Sequence, residues 1–200
     1  MDRLSEDQRD ALQELMNVAM GQAADQLACL TDTFVVLSVP RIHSVASLSD
    51  TQLPEVMAED NDVDVTRQSF LGQVRGEAFV CFGCHGADQL AELMGYDEHS
   101  IQQREELMLD VTNILSGACI NSLAQQFDIP VSYGAPSVFS RHTSFKQAMS
   151  ERALQSHRAL VMEIRFEVQA CQFSCDLLLC ISEDTVGSVL AVIDRLLSEL

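Results

Sequence analysis

The first long pattern of apolar and polar positions predicts a helix that begins near residue 6. Ser5 and Gln8 have the S-x-x-Q spacing of a capping box, in which two side chains satisfy backbone N–H groups of the first turn. Apolar residues then recur at three- and four-residue spacing, which is typical of one buried helix face. These residues are Leu12, Leu15, Met16, Ala19, Ala23 and Leu27.

The remaining patterns predict the same order of elements twice. After the first helix come a β-branched strand that ends at Pro40, an irregular stretch with one short helix, a hairpin and a second helix. Their predicted bounds are 33–39, 41–61, 63–71 with 74–82, and 87–94. A second series follows: a long helix at 100–126, a strand at 131–139, an irregular stretch at 141–157, a hairpin at 159–170 and 173–181, and a closing helix at 183–200.

A shift of 96 residues aligns the two series. At this offset seven positions between residues 10 and 40 are identical, whereas average composition predicts about two. The identical pairs are Asn17 with Asn113, Gly21 with Gly117, Leu27 with Leu123, Ala28 with Ala124, Asp32 with Asp128, Val35 with Val131 and Pro40 with Pro136. The sequence therefore predicts a diverged internal repeat.

Each long helix carries one polar series on the face away from its apolar stripe. Residues spaced four, three and four lie on one side of a helix. The two series are Asp10, Glu14, Asn17, Gly21 and Glu106, Asp110, Asn113, Gly117. We expect each series to form an exposed ridge.

A carboxylate and a carboxamide one turn apart can bind a cation and orient a water molecule. This suits phosphoryl hydrolysis, where catalysis consists largely of positioning. A glycine one turn further would let the surface of another protein approach closely. For a single helix, a solvated polar face is the simpler interpretation. Recurrence of the series in register favours half of an active site that a partner completes.

Composition limits the classes of partner. The formal net charge of −18 disfavours nucleic acid, whose binding surfaces must be basic, and favours a basic or mixed-charge protein. The apolar share of 47% allows a well-buried interior, and no 18 consecutive residues are apolar. The first residues lack the basic start and apolar stretch of a secretory signal. We therefore expect a soluble, cytoplasmic protein without membrane insertion.

The seven cysteines are expected to be thiols, since no export signal accompanies them. One cluster, Cys81-x-x-Cys84-His85, has the spacing of c-type haem attachment, so a redox or metal protein is one alternative. Cys81 also closes an alternating run of apolar residues and would point into the core. We favour this second interpretation.

The spacing of the polar series resembles a known family. Asp10-x3-Glu14-x2-Asn17, followed after 22 residues by Pro40, is similar to the motif of the CheC-type chemotaxis phosphatases (CheC, CheX and FliY). The second copy reads Glu106-x3-Asp110-x2-Asn113, again with 22 residues before a proline, Pro136. Two copies in about 200 residues resemble CheC more than the single-site CheX.

The resemblance implies an α/β fold of the α+β kind with pseudo-two-fold symmetry. Both long helices would lie side by side on one face of a mainly antiparallel sheet. We expect a single domain made of two repeats, about 6–97 and 100–200.

The resemblance also implies a function: hydrolysis of the aspartyl-phosphate of a CheY-like response regulator. Glu14 would bind the regulator's active-site lysine, and Asn17 would align the attacking water. Any Mg²⁺ would belong to the regulator, and no cofactor is expected on this chain. In the second copy Asp110 replaces the usual Glu, which shortens the side chain by about 1.5 Å, and Glu106 stands where Asp or Ser is usual. We therefore expect Glu14 and Asn17 to form the active site, and Asp110 and Asn113 to be weakened or silent.

Two further alternatives stay open at this point. The chain could be a non-catalytic adaptor or flagellar-switch-like module of the same fold that binds a response regulator. Some members of the family also bind a deamidase, CheD, through surface helices. The closing helix could be such a surface, but its apolar stripe favours a role in covering the core.

Overall fold

The computed structural model describes residues 4–45, 62–96, 100–144, 147, 159–171 and 173–199. Within these ranges the chain forms four helices and an eight-stranded antiparallel sheet. This α+β architecture confirms the expected fold class. The helices are α1 (Glu6–Thr31), α2 (Cys84–Leu93), α3 (Ile101–Phe127) and α4 (Glu183–Ser198).

Local signals fix both ends of the long helices. The Ser5 hydroxyl accepts a hydrogen bond from the Gln8 N–H at 3.1 Å, and the Gln8 side-chain oxygen accepts one from the Ser5 N–H at 3.0 Å. The capping box that the sequence predicts is therefore present. The residues that cap the ends of α1 and α3, Asp32 and Asp128, are both in the left-handed conformation, with φ of 50° and 54°. Aspartate tolerates this conformation better than most residues do.

The order of strands in the sheet is symmetric: followed from the opposite edge, each strand is replaced by its counterpart from the other half of the chain. Its strands are β1 (Val35–Leu37), β2 (Arg41–Val45), β3 (Asp62–Gly72), β4 (Gly76–Gly83), β5 (Val131–Tyr133), β6 (Ser137–Ser144), β7 (Ala159–Val168) and β8 (Phe173–Ser182). The order is β1-β7-β8-β4-β3-β5, with β2 also paired to β7 and β6 also paired to β3. The short strands of each half therefore pair with a long strand of the other half.

Strand register preserves the 96-residue offset. Val35 pairs with Val168, and Val131 pairs with Gly72. Val131 lies 96 residues after Val35, and Val168 lies 96 residues after Gly72, so the two pairs are equivalent. From the second strand of each hairpin onward the offset is 99, since Val63 pairs with Gly83 and its equivalent Ala159 pairs with Ser182. The two halves share an order of elements and a register. Their origin by duplication stays a hypothesis.

Helices α1 and α3 lie side by side on one face of the sheet and share the core. The Cys119 thiol lies 3.8 Å from the Ala19 carbonyl oxygen, and the Gln126 side chain donates to the Leu15 carbonyl oxygen at 3.0 Å. The later residue of α3, Gln126, contacts the earlier residue of α1, Leu15, so the two helices are antiparallel. The inner face of the helix pair is lined by fully buried residues, including Leu12, Met16, Leu27, Val111 and Leu115.

Two of the helices can be assigned to the core by their burial. Helix α3 is long and apolar enough to cross a membrane, but most of its apolar stretch is buried against the rest of the protein. It is the core helix of this fold. The stripe of α4 is also buried, at Val186, Val189, Val192 and Ile193. The closing helix therefore covers the core, as its pattern predicts.

The structure corrects the predicted strands on either side of each proline. The expected strand 33–39 is shorter, and residues 41–45, expected to be irregular, form β2. Likewise 131–139 divides into β5 and the start of β6, which continues to residue 144. A proline has no N–H to donate, so Pro40 and Pro136 interrupt pairing that resumes on the same neighbouring strand. The short helices expected within 41–61 and 141–157 lie largely outside the described residues.

Candidate functional site

The first polar series forms an exposed ridge on α1, as predicted. Asp10, Glu14, Asn17 and Gly21 are all exposed. Leu12 and Met16, each two positions from Glu14, are fully buried, so the apolar and polar faces of the helix are distinct. A Cβ added at Gly21 would meet no atom within 4 Å. The surface next to this glycine is therefore open to a partner.

The carboxamide of Asn17 is exposed to solvent. Its Nδ2 donates to Oε2 of Glu14 at 3.4 Å, a long hydrogen bond at the exposed surface. The amide nitrogen thus faces the carboxylate, and no hydrogen bond to the Asn17 oxygen occurs among the described residues. That oxygen can accept a hydrogen from water, while the Glu14 carboxylate can bind a cation. The Asn17 oxygen and the Glu14 carboxylate can therefore serve different roles although they lie side by side.

Apolar side chains flank this ridge. Val18, next to Asn17, is 46% exposed, and Val39, at the corner between β1 and β2, is 69% exposed. The corner is attached to α1 because the Gln13 side chain donates to the Pro40 carbonyl oxygen at 3.2 Å. A polar group between exposed apolar contacts is a common arrangement at surfaces that bind proteins.

The second series is arranged differently on α3. Glu106, Asp110 and Asn113 are exposed, but Gly117 is buried. A Cβ at Gly117 would lie 3.6 Å from the hydroxyl oxygen of Tyr133. Tyr133 also accepts a hydrogen bond from the Asn121 side chain at 3.1 Å. The expectation that Gly117 is exposed is therefore wrong, because an aromatic ring from β5 covers it.

Asn113 is held by a residue that the sequence did not single out. Gln68, on β3, is fully buried, and its Nε2 donates to the Asn113 Oδ1 at 3.1 Å and to the Gly134 carbonyl oxygen at 2.8 Å. One signal could have identified Gln68: it is a polar residue that alternates with Thr66 and Phe70 on the buried face of the strand. The carboxylate of Glu106 accepts a hydrogen bond from the Gln102 side chain at 3.3 Å.

The structure supports a core role for Cys81. Its side chain is buried on β4, and burial raises the pKa of the thiol well above its ordinary value. At neutral pH Cys81 is therefore a thiol and a poor nucleophile. The side chains of Cys84 and His85 lie outside the described residues. Among the residues that are described, no group of three or more His, Cys, Asp or Glu side chains could hold a metal ion.

Comparisons with known proteins concern the sequence around the first polar series and the fold. A model of the CheC-like family matches residues 8–44, which contain Asp10, Glu14, Asn17 and Pro40. No curated protein is significantly similar to the sequence.

Solved structures share the fold at low sequence identity. The FliY structure from Thermotoga maritima has a TM-score of 0.68 and 15% identity, with 97% of this chain and 99% of that chain covered. The middle domain of FliM from Vibrio alginolyticus has a TM-score of 0.60 and 11% identity, with 91% and 99% covered. A structure of the CheX-CheY-BeF3-Mg²⁺ complex from Borrelia burgdorferi has a TM-score of 0.55 and 13% identity, with 85% and 97% covered.

At these identities the structures establish the fold, and the family model adds the local match around the first polar series. The sequence is thus similar to the CheC-like family over residues 8–44, and the fold is similar to those of FliY and CheX.

Proposed function

We propose that this protein is a phosphatase that hydrolyses the aspartyl-phosphate of a CheY-like response regulator. One observation carries the proposal: Asn17 is exposed on α1, its amide nitrogen faces Glu14, and its carboxamide oxygen has no other hydrogen bond among the described residues. A side chain in this state can enter a partner's pocket and accept a hydrogen from a water molecule there.

The chemistry needs only positioning from this chain. The water oxygen forms a bond to phosphorus, and the bond between phosphorus and the aspartyl oxygen breaks. The regulator recovers its carboxylate, and inorganic phosphate leaves. The Asn17 oxygen would align the water opposite the leaving oxygen, and Glu14 would bind the regulator's active-site lysine. The Mg²⁺ that stabilises the phosphoryl group would belong to the regulator.

The partner is supported by the family and by charge. A CheX of the same fold has been crystallised with CheY, BeF3 and Mg²⁺. The ridge on α1 carries Asp10 and Glu14, and the whole chain has a formal charge of −18. Such a surface attracts a basic group such as a lysine and speeds encounter with a partner that presents one. A cytoplasmic location, where response regulators act, belongs to the same proposal.

The first polar series would be the active one. Asp110 is about 1.5 Å shorter than a glutamate, so it reaches a partner's lysine less well. Gly117 lies under Tyr133, whereas Gly21 is open, so a partner approaches α1 more closely. Asp110 and Asn113 would therefore contribute little to dephosphorylation.

A second function has support from the neighbours. FliY and the FliM middle domain share this fold, which leaves a non-catalytic module that only binds a response regulator. The arrangement around Asn113 favours that role for the second series, since its carboxamide oxygen is already hydrogen-bonded within the chain.

Loss of phosphate from a panel of phosphorylated response regulators tests the proposal. The purified protein is added at about one part in ten, so that each molecule must act repeatedly. Faster loss for at least one regulator, abolished by Asn17→Ala, would support a phosphatase. If the protein binds the beryllofluoride form of a regulator but does not accelerate the loss of phosphate from any, the binding module is correct.

A further inference from the structure

The two asparagines have different neighbours in the sheet. Gln68 lies on the side of β3 that faces the helices, where it is fully buried, and it bridges Asn113 to the Gly134 carbonyl oxygen. Adding 96 to its number gives Ile164, which is also fully buried and cannot form a hydrogen bond through its side chain. The environment of Asn17 therefore lacks this bridge.

Register establishes that Gln68 and Ile164 are equivalent. Phe70 pairs with Tyr133, and Leu37 pairs with Phe166, as the 96-residue offset requires. The chain beyond each short strand is also equivalent. The Gly134 N–H donates to the Ser69 carbonyl oxygen at 3.0 Å, and the Ser38 N–H donates to the Arg165 carbonyl oxygen at 3.0 Å. The backbone hydrogen bonds are thus equivalent, but Gln68 is replaced by an isoleucine in the other half, and the hydrogen bond to the asparagine is lost with it.

The chemistry of the partners fixes which atoms meet. A backbone carbonyl only accepts, so the Gln68 atom beside Gly134 must be the amide nitrogen. That nitrogen carries two hydrogens, and the second points to Asn113, whose facing atom must therefore be its oxygen. Asn113 thus uses the same oxygen that a water-orienting carboxamide needs for water. Asn17, in contrast, uses its nitrogen within the chain.

Gln68 is an unfavourable residue for a purely structural position. Its Oε1 is buried and has no hydrogen-bond partner among the described residues, which destabilises the fold. An isoleucine fills the equivalent position in the other half without a buried polar group. A residue that costs stability where an apolar one would fit indicates a role outside packing.

We propose that Gln68 is a positioning residue that holds the Asn113 carboxamide against the sheet and thereby keeps the second site at low activity. This inference rests on the proposed phosphatase function. The Asn113 oxygen keeps a second lone pair, so the hydrogen bond to Gln68 acts by holding the carboxamide toward the sheet. To extend into a partner's pocket, Asn113 must first break that hydrogen bond. Removal of one ordinary hydrogen bond should raise the activity of the second site about five- to tenfold.

The test uses Asn17→Ala as the background, so that the remaining activity comes from the second site. In this background Gln68→Met keeps the length of the side chain but removes the donor, and Gln68→Ile reproduces the other half. Both should raise kcat about five- to tenfold with little change in KM. The reciprocal change, Ile164→Gln in the otherwise native chain, should lower the activity of the first site. Thermal unfolding checks that each variant folds.

A fall in kcat, or no change, in Asn17→Ala/Gln68→Met would overturn the proposal, because Gln68 would then orient Asn113 productively or not act on it. A second readout does not depend on activity. NMR order parameters of the Asn113 side-chain amide should fall in Gln68→Met relative to the native chain. If no variant, the native chain included, dephosphorylates any regulator, the phosphatase proposal fails, and unchanged order parameters would refute the restraint on Asn113 separately.

Discussion

The two long helices present one pattern of polar residues in two different settings. Both run antiparallel over the same sheet, and both place an acidic residue and an asparagine one turn apart at the surface. Around Asn17 the neighbours are a glutamate and an open glycine. Around Asn113 they are Gln68 and a glycine covered by Tyr133. Residues on the strands therefore make the two sites unequal, beyond the change from glutamate to Asp110 within the motif.

The largest expected effect separates the two asparagines. Asn17→Ala should lower the rate of dephosphorylation of the cognate regulator by roughly 100- to 1,000-fold, the usual cost of losing one group that stabilises a transition state. Asn113→Ala should lower it less than about threefold, because its oxygen is already engaged by Gln68. Single-turnover loss of phosphate measures both variants under the same conditions.

Stability and binding are the controls for this pair. Asn17→Ala should change the free energy of unfolding by less than about 0.5 kcal/mol, because Asn17 is exposed. Asn113→Ala removes the acceptor of the buried Gln68 N–H and should cost about 1 kcal/mol. Binding to the beryllofluoride form of the regulator should persist in Asn17→Ala. A greater loss in Asn113→Ala than in Asn17→Ala would reverse the assignment of the active helix.

The next effect concerns the length of the acidic side chain. Glu14→Asp moves the carboxylate about 1.5 Å away from a partner's lysine and should lower kcat/KM roughly 10- to 100-fold. The matched change, Asp110→Glu in the Asn17→Ala background, should raise the residual activity. Steady-state kinetics of both variants measure this. An unchanged kcat/KM in Glu14→Asp would mean that Glu14 does not contact the regulator.

The sequence was sufficient to predict the features that depend on local periodicity. The capping box at Ser5, the two long helices and both hairpins follow from spacing and turn residues, with bounds that shift by a few residues at most. The exposed faces of α1 and, apart from Gly117, of α3 follow as well, because residues with this spacing lie on one side of a helix.

Features that depend on contacts distant in sequence could not be predicted. Gln68 lies 45 residues from Asn113, and Gly134 lies 66 residues from Gln68, so no local pattern joins them. The burial of Gly117 requires Tyr133 to fold back from β5. Strand β2 was missed because Pro40 is a strand-ending signal, whereas here the chain resumes pairing with β7 beyond it.

The two halves also differ on the sheet face away from the helices. In the first half Arg67 and Glu77 form an ion pair at 3.5 Å. The equivalent positions in the second half are Glu163 and Asp176, both acidic and both buried. The pKa of Asp176 is raised to about 6, chiefly by burial and to a smaller extent by Glu163, while Arg165, 4.0 Å away, opposes the shift. The second half therefore contains a carboxyl group that keeps its proton to a higher pH than an ordinary aspartate does.

This shift predicts the sign of a pH effect on stability. The folded state holds a proton on Asp176 up to a pH of about 6, whereas the unfolded chain loses it near the ordinary value of 3.8. Stability from this group is therefore greatest below pH 4 and falls as the pH rises to about 6. The free energy of unfolding of Asp176→Asn, measured relative to that of the native chain, should be higher at pH 8 than at pH 4 by on the order of 2 kcal/mol.

Urea unfolding of Asp176→Asn and the native chain at both pH values measures this difference. Comparison with the native chain at each pH cancels the effect of all other titrating groups. Glu77→Gln is the matched control in the first half. It removes the partner of Arg67 and should not stabilise the protein at pH 8. Equal differences at pH 4 and pH 8 for Asp176→Asn would show that its carboxyl group is not perturbed.

The smallest expected effect compares the starts of the two long helices. The Ser5 hydroxyl accepts from Gln8 N–H at 3.1 Å within a complete capping box, and the Ser100 hydroxyl accepts from Gln103 N–H at 3.3 Å. Ser5→Ala should cost about 1 kcal/mol of stability and Ser100→Ala on the order of 0.5 kcal/mol, whereas Ser5→Asp should keep most of the stability, since aspartate also caps. Urea unfolding measures all three.

Asn17 lies more than three helical turns from Ser5, so fraying of the first turn should leave dephosphorylation unchanged. A large loss of activity in Ser5→Ala would mean that the ridge on α1 depends on the start of the helix, and the contrast between Asn17 and Asn113 would then require a different cause.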